Sequence, residues 1–332
     1  MIKKNSIVYC LIALMALPAL KVLAGPASFS VELINTFDDP DAVFSTQPQK
    51  ISDRGAVVGV LIDGSGLSHG FVRFLNGHYS PPLTDPNDTA GVTQGRGIND
   101  SFRICGNYTS DTSHGFFAQG AGFHDFDVPG SSFTVLLGLN NANDFSGSDV
   151  PASGVQSGVL GIGGVITEFT VADATNTLAY QINSSNQAAG YYIDLNGITH
   201  GYYRDSDGSI VAPIDPAGST GTIVFGNNDS NYIVGRYPDA SGITHGFVFI
   251  PPATYITFDF PGSTFTSLNG INAAGSIVGR YLDASGIEHG LLARLVPGAA
   301  GPGLGGTIPQ RQPAQARSAR PLPLRPMVEP AL

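Results

Sequence analysis

Five of the seven histidines stand directly before a glycine: His69, His114, His200, His245 and His289. Four of them have an aspartate six residues earlier: Asp63, Asp194, Asp239 and Asp283. Imidazole beside carboxylate is a set suited to general acid–base work or to metal binding. A catalytic residue is normally unique, whereas these recur at one repeated position. The expectation is therefore structural, each Asp and His fixing one hairpin through a side-chain hydrogen bond. A ring of histidines around a channel, holding a metal or an anion, is the alternative. No residue is assigned as catalytic or as a metal ligand on this reading.

Two other patterns have a chemical and a plain explanation. Gly66-Leu67-Ser68-His69-Gly70 matches the Gly-x-Ser-x-Gly nucleophile elbow. The serine position holds Thr199, Thr244 and Glu288 in related stretches, and two strands flank it where the elbow needs strand then helix. It reads as coincidence. Asp205-Ser206-Asp207-Gly208 opens like a calcium loop but lacks the later ligands and the terminal Glu. A tight hairpin turn explains it better. Weak calcium binding at aspartate-rich loops is the one cofactor expectation. His78, His124, Arg73 and Arg96 lie outside the repeated positions and form no recognisable constellation.

These residues sit on a repeat. Residues 233–247 and 277–291 are nearly the same sentence, offset by 44. Anchoring on the glycine of Ile-Val-Gly and on the later His-Gly gives six copies, with anchors at Gly59, Gly106, Gly147, Gly190, Gly235 and Gly279. The third copy is the poorest and has Ser157-Gly158 in place of His-Gly. Within a copy, Ile-Val-Gly-Arg-Tyr is β-branched and aromatic, Asp-Ala-Ser-Gly is a turn, and His-Gly-Phe-Val-Phe is the return strand. A third strand, Tyr255 to Phe258, ends in Asp259-Phe260-Pro261-Gly262-Ser263. A short fourth strand is expected in Thr264–Leu268. No sustained helical period appears between 25 and 296.

Copy six stops without a third strand, and the missing piece lies at the other end of the chain. Thr36-Phe37-Asp38-Asp39-Pro40 matches Thr257-Phe258-Asp259-Phe260-Pro261 at a constant offset of 221. A repeat permuted across its termini suits a closed ring, not an open solenoid that needs distinct caps. The expected fold is all-β: a β-propeller of six blades with three to four antiparallel strands each, closed by N-terminal strands that complete the last blade. Residues 31–46 are expected in the outer part of that blade.

Composition adds context. Residues 1–24 read as a secretory signal: Lys3 and Lys4, an apolar run from Ile7 to Leu17, then Val22-Leu23-Ala24. Removing it takes three lysines and moves the formal charge from −10 to −13. The mature chain then keeps only Cys105, expected in the buried row of a strand, and has no disulfide. Only four of the 26 acids are Glu, which favours turns over helices. An acidic chain poor in lysine argues against nucleic acid and anionic membrane as partners. Residues 25–296 make one domain, and 297–332, rich in Pro, Gly, Ala and Arg, read as a disordered tail.

The units resemble the HAF-type extracellular repeats of bacterial secreted proteins. The resemblance rests on Gly270-Ile271-Asn272-Ala273-Ala274-Gly275-Ser276-Ile277-Val278-Gly279 followed by His289-Gly290, and in part on Gly97-Ile98-Asn99-Asp100 and Gly138-Leu139-Asn140-Asn141. It covers most of residues 51–296. It implies an extracytoplasmic location, and, the family being defined by its repeat, it implies no particular activity. Members often end in a Pro-Glu-Pro sorting signal with a membrane helix, whereas this chain ends Met327-Val328-Glu329-Pro330-Ala331-Leu332. The absence of Trp excludes a WD repeat.

The functional expectation is a secreted or periplasmic, monomeric, non-enzymatic scaffold that binds a protein or glycan and has no membrane span after signal cleavage. The alternatives are a polysaccharide lyase or hydrolase working at the channel mouth, and a calcium-stabilised surface-matrix component.

Overall fold

The computed structural model describes residues 29–120 and 122–298. The expected signal, and all of the expected tail beyond Gly298, lie outside these residues. Among the described residues the regular structure is strand alone. In chain order come β1 (Phe29–Phe37), β2 (Ser45–Ile51), β3 (Val57–Ile62) and β4 (Ser68–Arg73). Next are β5 (Gln94–Ile98), β6 (Ile104–Thr109), β7 (Ser113–Gln119) and β8 (Gly122–Phe126). They are followed by β9 (Thr134–Leu139), β10 (Phe145–Asp149), β11 (Ser157–Ile162) and β12 (Val165–Phe169). The set β13 (Ala174–Ile182), β14 (Ala188–Asp194), β15 (Thr199–Arg204) and β16 (Ile210–Ile214) comes next. Then come β17 (Ile223–Asn227), β18 (Ile233–Pro238), β19 (Thr244–Ile250) and β20 (Thr254–Phe258). The last three are β21 (Thr266–Ile271), β22 (Ser276–Leu282) and β23 (Glu288–Pro297).

Four sheets are four-stranded antiparallel meanders: β5 to β8, β9 to β12, β13 to β16 and β17 to β20. A seven-stranded sheet joins β21-β22-β23 to β2-β3-β4, with β1 on the far side of β23. Its two halves touch through a single parallel bridge, Ser45 to Glu288. Each half is antiparallel within itself, and β1 runs along β23 from Phe29↔Pro297 to Phe37↔Gly290 with one bulge. The first described strand thus supplies the outer strand of the last repeat.

Two expectations need correction. Thr264–Leu268 adds no fourth strand to the sheet that precedes it. Thr266–Ile271 is instead the inner strand of the next sheet, paired with β22. Likewise β1 ends at Phe37, and beyond it only the single bridge from Ser45 reaches β23, whereas Ser45–Ile51 pairs with β3. Both errors have one cause: a β-strand pattern reports alternation, not which neighbour the strand will pair with.

The anchor glycines have a steric explanation. A Cβ on Gly106, Gly190, Gly235 or Gly279 would strike the backbone carbonyl oxygen of Gln94, Leu178, Ile223 or Ser267 on the adjacent inner strand. Beside these contacts the inner strand carries a bulge, as between Leu268 and Gly270. Only glycine admits that approach.

Adjacent sheets bury their facing side chains against each other. Val58, Val72, Ile98, Ile104 and Phe116 join the first two repeats. Val234, Val248, Leu268, Ile277 and Leu291 join the last two. Ile51, Val57, Leu61 and Phe71 pack with Val278, so the last repeat meets the first. Burying each such side chain contributes about 1.5–3 kcal/mol. Cys105 is fully buried on β6, and burial pushes its thiol up to about 12.

Candidate functional site

Each repeated histidine bridges two elements. The near aspartate shapes its own turn first. Asp239 Oδ1 accepts the backbone N–H groups of Ser241 at 2.8 Å and Ile243 at 3.0 Å, and Asp63, Asp194 and Asp283 do the same in their turns. Its other oxygen faces the histidine Nε2 at 3.4 Å for Asp63–His69, 3.7 Å for Asp194–His200, 3.5 Å for Asp239–His245 and 3.4 Å for Asp283–His289. The shorter bond is to Nδ1 and comes from elsewhere. Asp127 reaches His114 at 2.9 Å, Asp215 reaches His200 at 2.6 Å, Asp259 reaches His245 at 2.8 Å and Asp38 reaches His289 at 2.9 Å. In the first repeat Thr84 takes this place at 2.7 Å.

These second partners escaped the sequence reasoning, although their signal was present. They are the aspartates of the closing motif after the outer strand. A tyrosine ring lies against four of the histidines, stacked in Tyr108–His114 and Tyr281–His289 and tilted in Tyr192–His200 and Tyr237–His245. His289 is raised from its ordinary value by its bond to Asp38, against the effect of burial. For His114, burial pulls downward, but the bonds to Asp127 and Asp111 outweigh it and the result is upward. In His69, His114 and His289 both ring nitrogens are hydrogen-bonded, which leaves these rings no free lone pair, whereas in His200 and His245 only Nδ1 is hydrogen-bonded and Nε2 faces its aspartate at longer range. Each set lies on its own repeat, and no group of three or more His, Cys, Asp or Glu among the described residues is gathered to hold a metal ion.

The remaining sequence candidates are also placed. Ser68 is buried, and its Oγ has no hydrogen-bond partner in the structure. The adjacent His69 ring is turned to Thr84 and Asp63, so no base serves the hydroxyl. Asp205 accepts from Gln187 Nε2 of the preceding turn at 2.9 Å and Asp207 accepts from Ser209 N at 2.8 Å, so the loop is a hairpin turn whose carboxylates are used within the protein. His78 and His124 are exposed.

The polar groups that do converge lie where the inner strands end. The turns after β2, β5, β9, β13, β17 and β21 line one shared mouth, with free space of about 50 Å³. That volume admits a few water molecules. Each turn but one begins with asparagine, and each asparagine does two jobs. Asn228 Oδ1 accepts the N–H groups of Ser230 at 3.1 Å and Tyr232 at 3.0 Å, capping its own turn. Its Nδ2 donates to the carbonyl of Asn272 in the next repeat at 3.1 Å. The same link runs from Asn99 to Asn140, from Asn140 to Asn183 and from Asn183 to Asn228. From Asn272 it runs on to Ser52. Around it stand Asp53, Asp100 and Asp229. Asp53 and Asp229 accept the N–H groups of Ala273 and Ser184.

Deeper in, Lys50 crosses from the first repeat to two others. Its Nζ donates to the Phe225 carbonyl at 2.6 Å and to the Asn269 carbonyl at 3.3 Å, and it lies 5.6 Å from the Tyr180 ring centroid. Burial, helped by the charge of Arg96, pushes its amine down to about 7. Four of the five sister positions, Gly97, Gly138, Gly226 and Gly270, have no side chain to extend, and the fifth is Gln181. Opposite Lys50 the wall is apolar, with Val135, Leu137, Leu178, Tyr180 and Phe225 in one cluster.

At the seam between last and first repeats, Glu288 Oε2 accepts from Ser45 Oγ at 2.7 Å and from Gln47 Nε2 at 2.5 Å. Burial alone would raise its carboxyl, but Arg280 and these two donors hold it below the ordinary value.

No family model matches the chain, and no curated protein matches it at the level of sequence. Solved structures do. The putative TolB from Agrobacterium tumefaciens is similar over 82% of this chain and 100% of its own, with a TM-score of 0.53 and 15% identity. TolB from Acinetobacter baumannii aligns over 74% of this chain and only 54% of its own, at TM-score 0.46 and 7% identity. A variant of the Aleuria aurantia lectin AAL, in complex with Fucα1-6GlcNAc, covers 75% of this chain and 92% of its own, at TM-score 0.48 and 9% identity. With the antiparallel meanders described above, the first of these likenesses identifies the fold as a β-propeller.

Proposed function

We propose that this chain is a six-bladed propeller, closed by the pairing of β1 with β23, that works in the periplasm or outside the cell as a rigid scaffold binding a glycan or protein. The HAF-type resemblance and the acidic composition support the location. The last-to-first packing of Val278 against Ile51 and Phe71 supports the closed ring. One observation carries the non-enzymatic reading: the asparagine amides that converge at the mouth are spent on holding repeat to repeat. The repeated Asp and His residues are read as clamps within the blades that carry them, the third having Ser157 in place of the histidine. No cofactor is invoked, and excess calcium or chelator should leave the melting temperature unchanged.

The test is a glycan array together with incubation on a polysaccharide panel. Retention on a glycan or protein ligand without depolymerisation supports the scaffold. Depolymerisation that Lys50→Met or Asp100→Asn abolishes would overturn it in favour of an enzyme.

A further inference from the structure

The turn between β5 and β6 departs from its five sisters at one position. The fourth residue of every such turn takes a left-handed backbone: Gly55 at φ 82°, Asn143 at 67°, Asn186 at 60°, Asn231 at 54° and Gly275 at 78°. These are the residue types that tolerate it. In the second repeat the residue is Phe102, at φ 59°. A bulky side chain is strained there, and such strain persists where something else holds it. Burial is not what holds it, because Phe102 is 40% exposed.

The turn itself is fastened on all sides. Asn99 Oδ1 accepts from Ser101 N and Arg103 N, both at 3.1 Å. The Asp100 N–H donates to Asn141 Oδ1 at 2.9 Å, and Gln119 Nε2 donates to the Ser101 carbonyl at 3.1 Å. The Phe102 ring leans on Phe74, with centroids 5.7 Å apart and planes at 57°. The neighbouring Leu75 is 78% exposed and covers Gly55. An apolar platform thus stands beside a polar edge. On that edge Asn141 Nδ2 donates to Asp100 Oδ2 at 3.0 Å and to Asp53 Oδ2 at 3.4 Å.

We propose that Phe102, with Phe74 and Leu75 beside it and Asp100, Asn141 and Asp53 at its edge, is a binding site for a neutral pyranose ring of a glycan. The inference rests on the scaffold reading and names its ligand class. A pyranose has a face of C–H groups, which suits the electron-rich face of an aromatic ring. Its hydroxyls need acceptors, and a carboxylate has about four lone-pair sites. Asp100 uses one on the Arg54 N–H at 3.0 Å and one on Asn141, leaving capacity for a sugar. The carboxylates select against uronic acids and sulfated sugars by like charge. The formal charge of −10 argues likewise against an anionic lipid surface.

The test uses the full-length protein on an array of neutral oligosaccharides, with uronic-acid polymers as the charged arm. Phe102→Asn restores the residue of three sister turns, so its melting temperature should hold or rise while glycan affinity falls at least tenfold. Asp100→Asn should weaken binding to a lesser degree. Neither variant nor parent should bind the uronic-acid polymers. A Phe102→Asn protein that binds neutral glycans as the parent does would overturn the site and leave the scaffold reading standing. A parent that binds no glycan removes both the site and the glycan half of that reading. Vesicle binding abolished by Phe102→Asn, with glycan binding intact, assigns the patch to lipid and overturns the proposal.

Discussion

Asn272 donates its side-chain amide to the backbone carbonyl of Ser52 at 3.0 Å, across 220 residues of sequence. Asn228 makes the same bond to Asn272 at 3.1 Å across 44. The role needs an acceptor for the turn and a donor for the neighbour, which asparagine has and aspartate lacks. Asn228→Asp should therefore cost about 1–3 kcal/mol, the penalty of a buried carbonyl left without its donor. Ser52 is the position that breaks the series, since its hydroxyl turns to the Ala56 N–H. Ser52→Asn should supply the sixth link and stabilise by about 0.5–1.5 kcal/mol. Urea melts of both variants check the pair, and an unchanged midpoint for Asn228→Asp would refute the linkage.

The histidine clamps predict a dependence on pH. His289 is raised above its ordinary 6.5, so its contribution is fully present below 6.5 and is lost as pH rises through its folded value. For Asp283 burial pushes upward, but the Ile287 N–H and His289 outweigh it and hold the carboxyl low. Its contribution is present above 3.8 and disappears as pH falls through the lower folded value. His289→Asn should thus cost about 1 kcal/mol near pH 5.5 and less at pH 8.5, the partly exposed carboxylates being screened. His245→Ala should lower the urea midpoint through loss of its bond to Asp259, by no more than His289→Asn does because both carboxylates are partly exposed. Equal penalties for His289→Asn at the two pH values would rule out the charged clamp.

Removing β1 tests closure. Without residues 29–37 the outer edge of β23 is open, and Leu291 and Ala293 lose their cover. An open edge beside apolar side chains invites pairing with another chain. Deletion of 29–37 should give aggregation or loss of a cooperative melt, whereas deletion of 299–332 should leave the melt nearly unchanged. A monomeric, cooperatively melting protein lacking β1 would show that the ring does not depend on this strand.

Lys50 predicts the opposite trend with pH. Its amine, pushed down to about 7, burdens the folded state whenever the unfolded chain holds the proton. The burden is complete below pH 7 and fades as pH rises toward 10.5. Lys50→Met should therefore be most favourable, relative to the parent, at pH 6, and the difference should shrink by pH 9.5. A stability difference that is flat over this range would mean that the amine stays charged.

The sequence by itself determined the unit and its chemistry. Alternation, the anchor glycines and the turn residues are local, so they could be read from Val57, Gly235 or Asp239 without a partner in view. The offset of 221 also announced that the N-terminal strand belongs to the last repeat, because a repeat carries its own alignment. What only the tertiary structure decided was which groups meet across repeats. Thr266–Ile271 could be a fourth strand or a first strand until its pairing was seen. Asp259 and His245 lie 14 residues apart with an outer strand between them, and the hairpin closes that distance to 2.8 Å. The bond from Asn272 to Ser52, the crossing of Lys50 and the strain at Phe102 depend on how the sheets are placed against one another. Strand periodicity encodes which face a side chain takes, but not what another blade brings to it.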